Sequence, residues 1–320
     1  MLVLNMERAV ISITDSCNLK CLHCYKGDIR TYSRANYINT SFITTLKKLG
    51  VKQIVVSGGE PTIDWVYLLD IIDILNSGDF SIILTTNGLL LSQDRVNQLK
   101  KKKVQRIQVS IDGPNKEIHE LLRGVGTFAK PMELLINNPS FIMPMYTIHG
   151  QNYNFVRDFL DIAISLGIES VGFERYIPIN NRLAALELSK EQLFDAYSII
   201  TKYNNKVHIH INDPLYNVYL FLIKSIPAPN YLNNISCGCQ ALTNNIYIDS
   251  DGNVYSCIFS KDIISNIANP DVFEKLVNIQ FLLKNECEGC DFFCICKGCR
   301  AASYCLTGDW NKKDPLCPIY

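Results

Sequence analysis

Short apolar runs alternate with helix-period segments from residue 9 to residue 178, and this alternation narrows the fold more than any other feature of the chain. AVISIT (9–14), QIVV (53–56), FSIILTT (80–86), VQRIQVSI (104–111), FIMPMYTI (141–148) and SVGFERYIP (170–178) read as strands. Helical periodicity lies between them, near 39–49 with Gly50 as C-terminal stop, and over 65–75, 92–103 and 154–166. Strands alternating with helices form βα units around a parallel sheet. Polar and glycine-rich residues recur at the strands' C-terminal ends, where α/β sheets and barrels carry their sites. After about residue 180 the alternation fades, so a partial barrel is expected and a complete eight-stranded one disfavoured. Further on, 189–203 reads as a helix with Ser189 and Gln192 as a capping box. VHIHI (207–211) reads as a strand with His208 and His210 on one face, taken as solvent-facing, and 214–225 as a short helix.

The thirteen cysteines are distributed unevenly: three precede residue 25 and ten follow residue 236. The first three form CNLKCLHC, with Cys17, Cys21 and Cys24 on one short stretch. Three close thiolates with no fourth nearby suit a cluster that leaves one iron open. A structural zinc site needs four closed ligands, and His23, lying between two of the thiols, would strain the loop as a fourth. Residues 1–30 lack the order of basic region, apolar core and small-residue cleavage site of a signal peptide. A cytoplasmic location is therefore expected, where clustered cysteines bind metal more often than they form disulfides. Formal net charge is zero, with 48% hydrophobic and 19% charged residues. That composition supports a sizeable core and gives no reason to expect nucleic acid as a partner. No apolar run is long enough to span a bilayer.

The spacing CxxxCxxC, with an aromatic ring at His23 just before the last cysteine, resembles the radical S-adenosylmethionine (radical SAM) superfamily. The resemblance implies a partial (β/α)6 TIM-like barrel and a 4Fe–4S cluster on Cys17, Cys21 and Cys24. It also implies reductive cleavage of S-adenosylmethionine to a 5′-deoxyadenosyl radical that abstracts a substrate hydrogen. SGGEP after the second strand looks like that family's loop for the methionyl ammonium, with Gly58 and Gly59 allowing close approach and Glu60 as acceptor. Taken alone, it would be a tight turn closed by proline. Asn87, Ser110 and Asp112 stand where the family binds the ribose and methionyl groups. Arg123, in RGVGTF, looks like a clamp on the methionyl carboxylate, a task suited to a bidentate guanidinium; by itself it would be a helix-surface arginine.

The C-terminal text contains a hairpin pattern, NNIYIDSDGNVYSC, and CEGCDFFCICKGC. A zinc ribbon is the plain structural reading. The set Cys239, Gly252, Cys257, Cys287, Cys290, Cys296, Cys299 and Cys317 resembles the SPASM domain of radical SAM maturases, which carries two auxiliary 4Fe–4S clusters. The resemblance implies Cys239, Cys257 and Cys299 on one cluster, and Cys287, Cys290, Cys296 and Cys317 on the other. Two residues separate Cys296 from Cys299, where the family pattern has three. Cys237 lies two residues before Cys239, about 6.6 Å away on an extended strand, and is the candidate eighth ligand. Cys294 and Cys305 read as buried small hydrophobes. The expected organisation is a barrel over 1–180, a bridging segment over 181–234 and the SPASM region over 235–320.

The leading expectation is modification of a ribosomally made peptide or protein, by a thioether or carbon–carbon link, epimerisation or oxidation. The alternative is a small-molecule oxidation or decarboxylation in cofactor, tetrapyrrole or sugar synthesis; a non-catalytic electron carrier ranks below both. A flavodoxin or ferredoxin donor is expected. The barrel begins within ten residues of Met1, so a peptide substrate would call for a separate recognition protein or none. The sulfatase-maturase branch has an Asp base directly after the hairpin cysteine; here that residue is Ile258.

Overall fold

The computed structural model describes residues 6–27, 33–179, 183–224, 238–280 and 286–319. The strands are β1 (Arg8–Ser12), β2 (Gln53–Ser57), β3 (Ser81–Thr86), β4 (Val104–Ser110), β5 (Ile142–Ile148) and β6 (Ser170–Arg175). They continue as β7 (His208–Ile211), β8 (Asn245–Ile248), β9 (Asn253–Tyr255) and β10 (Ser265–Asn266). They form one sheet in the order β10-β9-β8-β1-β2-β3-β4-β5-β6-β7. The pairs from β8 through β1 to β7 are all parallel, and β9 and β10 add an antiparallel edge.

The six expected strands form the centre of this sheet. It gains a strand on each side: β7 beside β6, and β8, the first strand of the expected hairpin, beside β1. Among the described residues β7 and β8 do not pair, so the barrel stays open between these two lips. The sheet also runs across the expected boundary at 234. The divisions at 180 and 234 are therefore proposed as divisions between sequence motifs, with one sheet running through them.

Side chains alternate along each strand. The outward set, including Ala9, Ile11, Ile54, Val56, Ile82, Leu84, Ile107 and Val109, is fully buried beneath the surrounding helices. Each such Val, Leu or Ile contributes roughly 1.5–3 kcal/mol of transfer free energy. The inward set is polar to an unusual degree: Arg8, Gln53, Ser57, Thr85, Gln108, Ser110, Thr147 and Glu174. A closed barrel fills its interior with layers of bulky apolar side chains. Here polar side chains and an open seam leave a cavity of about 1310 Å³ inside the sheet.

The helices start where their caps dictate. Asn39, Asp64, Ser92 and Asn115 each accept a backbone N–H as N-cap, and Ser189 and Gln192 form the full capping box. No helix among the described residues is long and apolar enough to cross a membrane.

The cysteine-rich third is fastened to the barrel by a buried ion triad. Arg175, the last residue of β6, places Nε 2.7 Å from Asp213 Oδ2 and its two Nη atoms on the carboxylate of Asp314. All three side chains are at most 2% exposed. Tyr197 donates to Asp213 at 2.6 Å, and Leu215 N at 2.9 Å. Removing one member of such a group leaves an uncompensated buried charge, which costs roughly 3–5 kcal/mol. Arg175→Met is therefore expected to lower unfolding stability by about that amount and to speed thiol labelling of Cys296 and Cys317. An unchanged urea midpoint would show that the triad does not fasten the two regions.

Candidate active site

The cysteine loop leaves the end of β1 and turns back on itself: Cys24 N donates to Cys21 O at 3.2 Å and Gly27 N to Cys24 O at 3.0 Å. Leu22 N donates to Leu122 O at 2.9 Å, which pins the loop to the helix Lys116–Arg123. The loop after β2 lies directly against its start. Gly59 N donates to Thr14 O and Glu60 N to Ser16 O, both at 2.7 Å. A Cβ on Gly59 would stand 2.2 Å from Ser16 O, so only glycine permits this approach. Gly58 and Gly59 thus serve first to join two strand-end loops.

Glu60 is 1% exposed. Its Oε1 accepts from Thr62 N at 3.0 Å and from the hydroxyls of Thr62 and Thr86 at 2.5 and 2.6 Å. Its Oε2 accepts from Asn87 N at 2.7 Å. Burial raises its pKa, and these hydrogen bonds pull it back. Glu60 therefore braces the ends of β2 and β3 against each other, and Oε2 retains capacity for one more donor. Asn87 in turn donates from Nδ2 to Asn18 Oδ1 at 2.8 Å, tying β3 to the cysteine loop.

Across the cavity, Arg123 is buried to 11% side-chain exposure and is not a surface residue. Its Nε pairs with Asp112 Oδ2, and its Nη2 lies 3.3 Å from His23 Nε2. Asp112 also accepts from Thr147 N at 2.8 Å. Burial opposes ionisation of Asp112, but Arg123, with His23 and His119, more than offsets it and holds the carboxyl well below its usual range. Arginine is an obligate donor, so His23 Nε2 accepts and its proton sits on Nδ1, a buried atom without a partner. Burial, reinforced by Arg123, lowers the His23 pKa to about 3.

Two further histidines, absent from the sequence-based site, stand around Asp112. His119 Nδ1 accepts from Asp112 N at 3.1 Å, and His149 Nδ1 from Gln151 N at 3.2 Å. The Nε2 atom of each is buried and unpartnered. Burial lowers both pKa values to about 4.

Cys17, Cys21, His23, Cys24, Gly58, Gly59, Glu60, Asn87, Ser110 and Arg123 all line the same large cavity. Asp112 does not; it sits behind Arg123 and orients it. Cys239, Cys257 and Cys299 line the same cavity from the other side. Cys287, Cys290, Cys296 and Cys317 surround a second, small cavity. Hydrogen bonds from Cys239 N to Cys296 O and from Gly238 N to Ile295 O join the two groups, and a Cβ on Gly238 would stand 2.1 Å from Cys296 O. Cys237 lies outside the described residues. Cys294 is exposed, contrary to the buried position expected for it, while Cys305 packs with Cys257 and Cys299 against Ala301 and Ala302. His208 is exposed, as expected, and His210 is half-buried; both also border the cavity. Glu174, at the end of β6, lines it too and takes a hydrogen bond from Thr147 Oγ1 at 3.3 Å. Glu174 was not among the residues expected at the site; its strand-end position in FERYIP is the sequence signal that could have marked it.

The donor sets are sulfur throughout, which suits iron–sulfur clusters and zinc. Among the described residues no three His, Cys, Asp or Glu side chains converge closely enough to hold a single metal ion. Burial pushes the thiols of Cys257 and Cys296 up to about 12, so their thiolates require a strong local positive charge such as bound iron provides. Three thiols on one loop, opening onto a polar cavity with an orphaned His23 donor and a buried guanidinium, fit a cluster together with a zwitterionic ligand.

Residues 11–163 match the family model described as the Radical SAM superfamily. The chain is 26% identical over 335 residues to a Methanosarcina barkeri protein named AdoMet-dependent heme synthase, covering 95% of this chain and 94% of that one. It is 26% identical over 296 residues to a GTP 3′,8-cyclase of Alkaliphilus oremlandii, covering 86% and 89%. Among solved structures, Streptococcus suis SuiB superposes with a TM-score of 0.76 at 17% identity, over 98% of this chain and 77% of that one. The structure described as native anSMEcpe with bound AdoMet and Cp18Cys peptide gives 0.71 at 19% identity, over 97% and 93%. Residues 11–163 form a radical SAM domain and the protein is an enzyme of that class; it shares its fold with SuiB and anSMEcpe, and its C-terminal region is rich in cysteine. Its radical SAM domain works with S-adenosylmethionine and a 4Fe–4S cluster.

Two outcomes follow from the geometry. Glu60→Ala leaves four donors unanswered, and is expected to cost at least about 2 kcal/mol of stability while also weakening S-adenosylmethionine binding. Urea unfolding and calorimetric titration measure the two separately, and a loss of affinity with no loss of stability would contradict the bracing role. His119 and His149 have folded-state pKa values of about 4, below the usual 6.5. Their stabilising contribution is complete above pH 6.5 and is lost as pH falls from there towards 4. The His119→Gln/His149→Gln double variant should lose about two protons from the slope of stability against pH in that interval. An unchanged slope would rule these two histidines out as its source.

Proposed function

We propose that the enzyme removes a hydrogen atom from a small molecule bound in the inner part of the cavity, in an oxidation or decarboxylation. The observation that carries this is the continuity of one space of about 1310 Å³ from Cys17, Cys21 and Cys24 through the barrel interior to Cys239, Cys257 and Cys299. Single small-ligand sites run to roughly 300–1,000 Å³, so this space has room for S-adenosylmethionine and a second molecule of comparable size. The named relatives that align with nearly the whole chain, a heme synthase and a GTP cyclase, support a small-molecule substrate.

When bound, the cluster and S-adenosylmethionine supply a 5′-deoxyadenosyl radical able to take a hydrogen atom. The chain's own residues bind and orient. Arg123, its guanidinium fixed by Asp112, would receive the methionyl carboxylate. The free capacity on Glu60 Oε2 would accept from the ammonium. Asn87 and Ser110 would meet the ribose, and His23 would present its unpartnered Nδ1–H. Cys239, Cys257 and Cys299 would hold one auxiliary cluster against the same cavity. Cys287, Cys290, Cys296 and Cys317 would hold a second cluster behind it. Cys237 is proposed as the eighth ligand. A flavodoxin or ferredoxin would deliver the electron. In the run of four lysines at 100–103, a candidate contact for such a donor, Lys100 and Lys102 are engaged with Asn138 and Asp73.

Peptide modification is the second reading. It is favoured by the fold shared with SuiB, whose structure with the precursor peptide SuiA superposes at a TM-score of 0.76 over 99% of this chain. The seam between β7 and β8 would admit an extended segment.

After anaerobic reconstitution the wild-type protein should carry about twelve irons and form 5′-deoxyadenosine with a reductant. Cys17, Cys21 and Cys24 replaced together by Ala should leave about eight irons and no 5′-deoxyadenosine. Undiminished 5′-deoxyadenosine from the triple variant, or zinc in place of the C-terminal irons, would overturn the assignment.

A further inference from the structure

The cavity has a second end. Beyond the strand-end site, towards the N-terminal ends of the strands, its wall becomes basic. Arg8 opens β1, Arg106 lies on the inner face of β4, and His208 and His210 lie on β7. These strands come from opposite walls of the open barrel; Arg106, His208 and His210 meet across its interior, and Arg8 lies near enough for its charge to act on His210. Arg106 Nη1 lies 3.5 Å from His210 Nε2 and 3.5 Å from Met143 Sδ. The two imidazole rings stand edge to face, 4.5 Å between centroids. Arg8, His208 and His210 line the same cavity as the cysteines.

What this cluster lacks is an acid. Among the described residues, no ion pair involves Arg8 or Arg106. The carboxylate at this rim, Glu7, is paired with Lys52 at 3.7 Å. By contrast, the other two guanidiniums of the barrel interior, Arg123 and Arg175, are both matched to carboxylates. Burial, then His208, Arg106 and Arg8, hold the His210 pKa down at about 4, with no carboxylate among the influences. Arg8 and His208 are exposed and Arg106 and His210 half-buried, so the cluster presents guanidinium and imidazole donors without a neighbouring carboxylate to any anion that enters. The guanidinium fork matches the paired oxygens of a carboxylate or phosphate.

We propose that this basic end of the cavity binds an oxoanion, carboxylate or phosphate, that belongs to the substrate. The substrate is then an acid, held by its anionic end at Arg8, Arg106, His208 and His210, with its reacting C–H directed to the cysteine end. The distance from the first to the last residue of β1 sets the scale of the molecule, about 13 Å along a strand at 3.3 Å per residue. The anion site stands on its own geometry; its assignment to the substrate rests on the small-molecule reading above.

The test is calorimetric titration of the reconstituted, full-length enzyme with three probes: inorganic phosphate, acetate and suberate. Saturable one-to-one binding of suberate, about tenfold or more tighter than acetate or phosphate, is expected if the site holds one end of an extended acid whose body fills the cavity. The Arg8→Gln/Arg106→Gln double variant should weaken suberate binding by about tenfold or more while binding S-adenosylmethionine as the wild type does. That second measurement shows that the variant is folded. Saturation with suberate should also raise the midpoint of the His210 ring titration seen by NMR. No saturable binding of any probe, or binding unaffected in the double variant, overturns the site. Phosphate bound as tightly as suberate overturns its assignment to the substrate, leaving a free-anion site. Suberate binding in a protein that forms no 5′-deoxyadenosine would sink the proposed reaction and leave the anion site standing. Formation of 5′-deoxyadenosine without anion binding would do the reverse.

Discussion

The pairing of Arg175 with Asp213 and Asp314 is the contact on which the arrangement of this enzyme depends. One guanidinium at the end of β6 takes a carboxylate from the loop after β7 and another from the cysteine-rich C-terminal region. Three otherwise separate stretches of chain meet there. The position of Asp314 fixes that of Cys317, whose backbone N–H donates to Asp314 O at 2.8 Å. The same triad borders Cys299, whose thiol feels the Arg175 charge. Desolvating three charges is expensive, and the geometry must be satisfied from all sides to compensate. What the fold gains is registry: the triad helps set the C-terminal thiols relative to the barrel, together with the β8–β1 pairing and the hydrogen bonds from Asn217 to Ile295 O and Tyr219 to Leu316 O.

Polarity on the inner face of the sheet does the rest. A barrel that placed Val and Leu at positions 53, 85, 108 and 110 would fill itself. With Gln53, Thr85, Gln108 and Ser110 there, and no ladder joining β7 to β8, the interior stays accessible. Hydrogen bonds between strand-end loops then give this space a rigid wall. Glu60 ties β2 to β3, Asp112 ties β4 to β5, and Asn87 reaches back to the cysteine loop. Several residues recognisable as ligand contacts are in this way also internal braces.

Much of this was legible in the sequence, because period-two strands, cap residues and cysteine spacing are local signals. The six central strands, the capping box at Ser189 and the Asp251–Gly252 turn fall where the pattern put them. What escaped notice was set by distant partners. Nothing around Arg123 announces that Asp112 will bury it, so a surface position remained an equal reading. His208 and His210 alternate as solvent-facing residues of an edge strand would, and His208 is exposed; that both also border the cavity was not legible from the alternation. Glu174 and Arg175 are adjacent in sequence and both border the cavity, yet only Arg175 enters a triad, completed by residues 213 and 314. The clustering of His119 and His149 around Asp112 is likewise a product of folding, with no spacing to reveal it.

The pairing of β8 with β1 bears on how the chain comes to be folded. Arg8 lies beside Asn245 and Ile11 beside Ile248, so one lip of the barrel is built from segments more than two hundred residues apart. Closing so long a loop is entropically slow. On the ribosome, β1 through β7 emerge well before β8. Until then β1, with its apolar Ala9 and Ile11, is an unpaired edge beside the cysteine loop. Such an edge invites pairing with other chains. The cysteine-rich region therefore also acts in cis as the cover of the barrel's first strand.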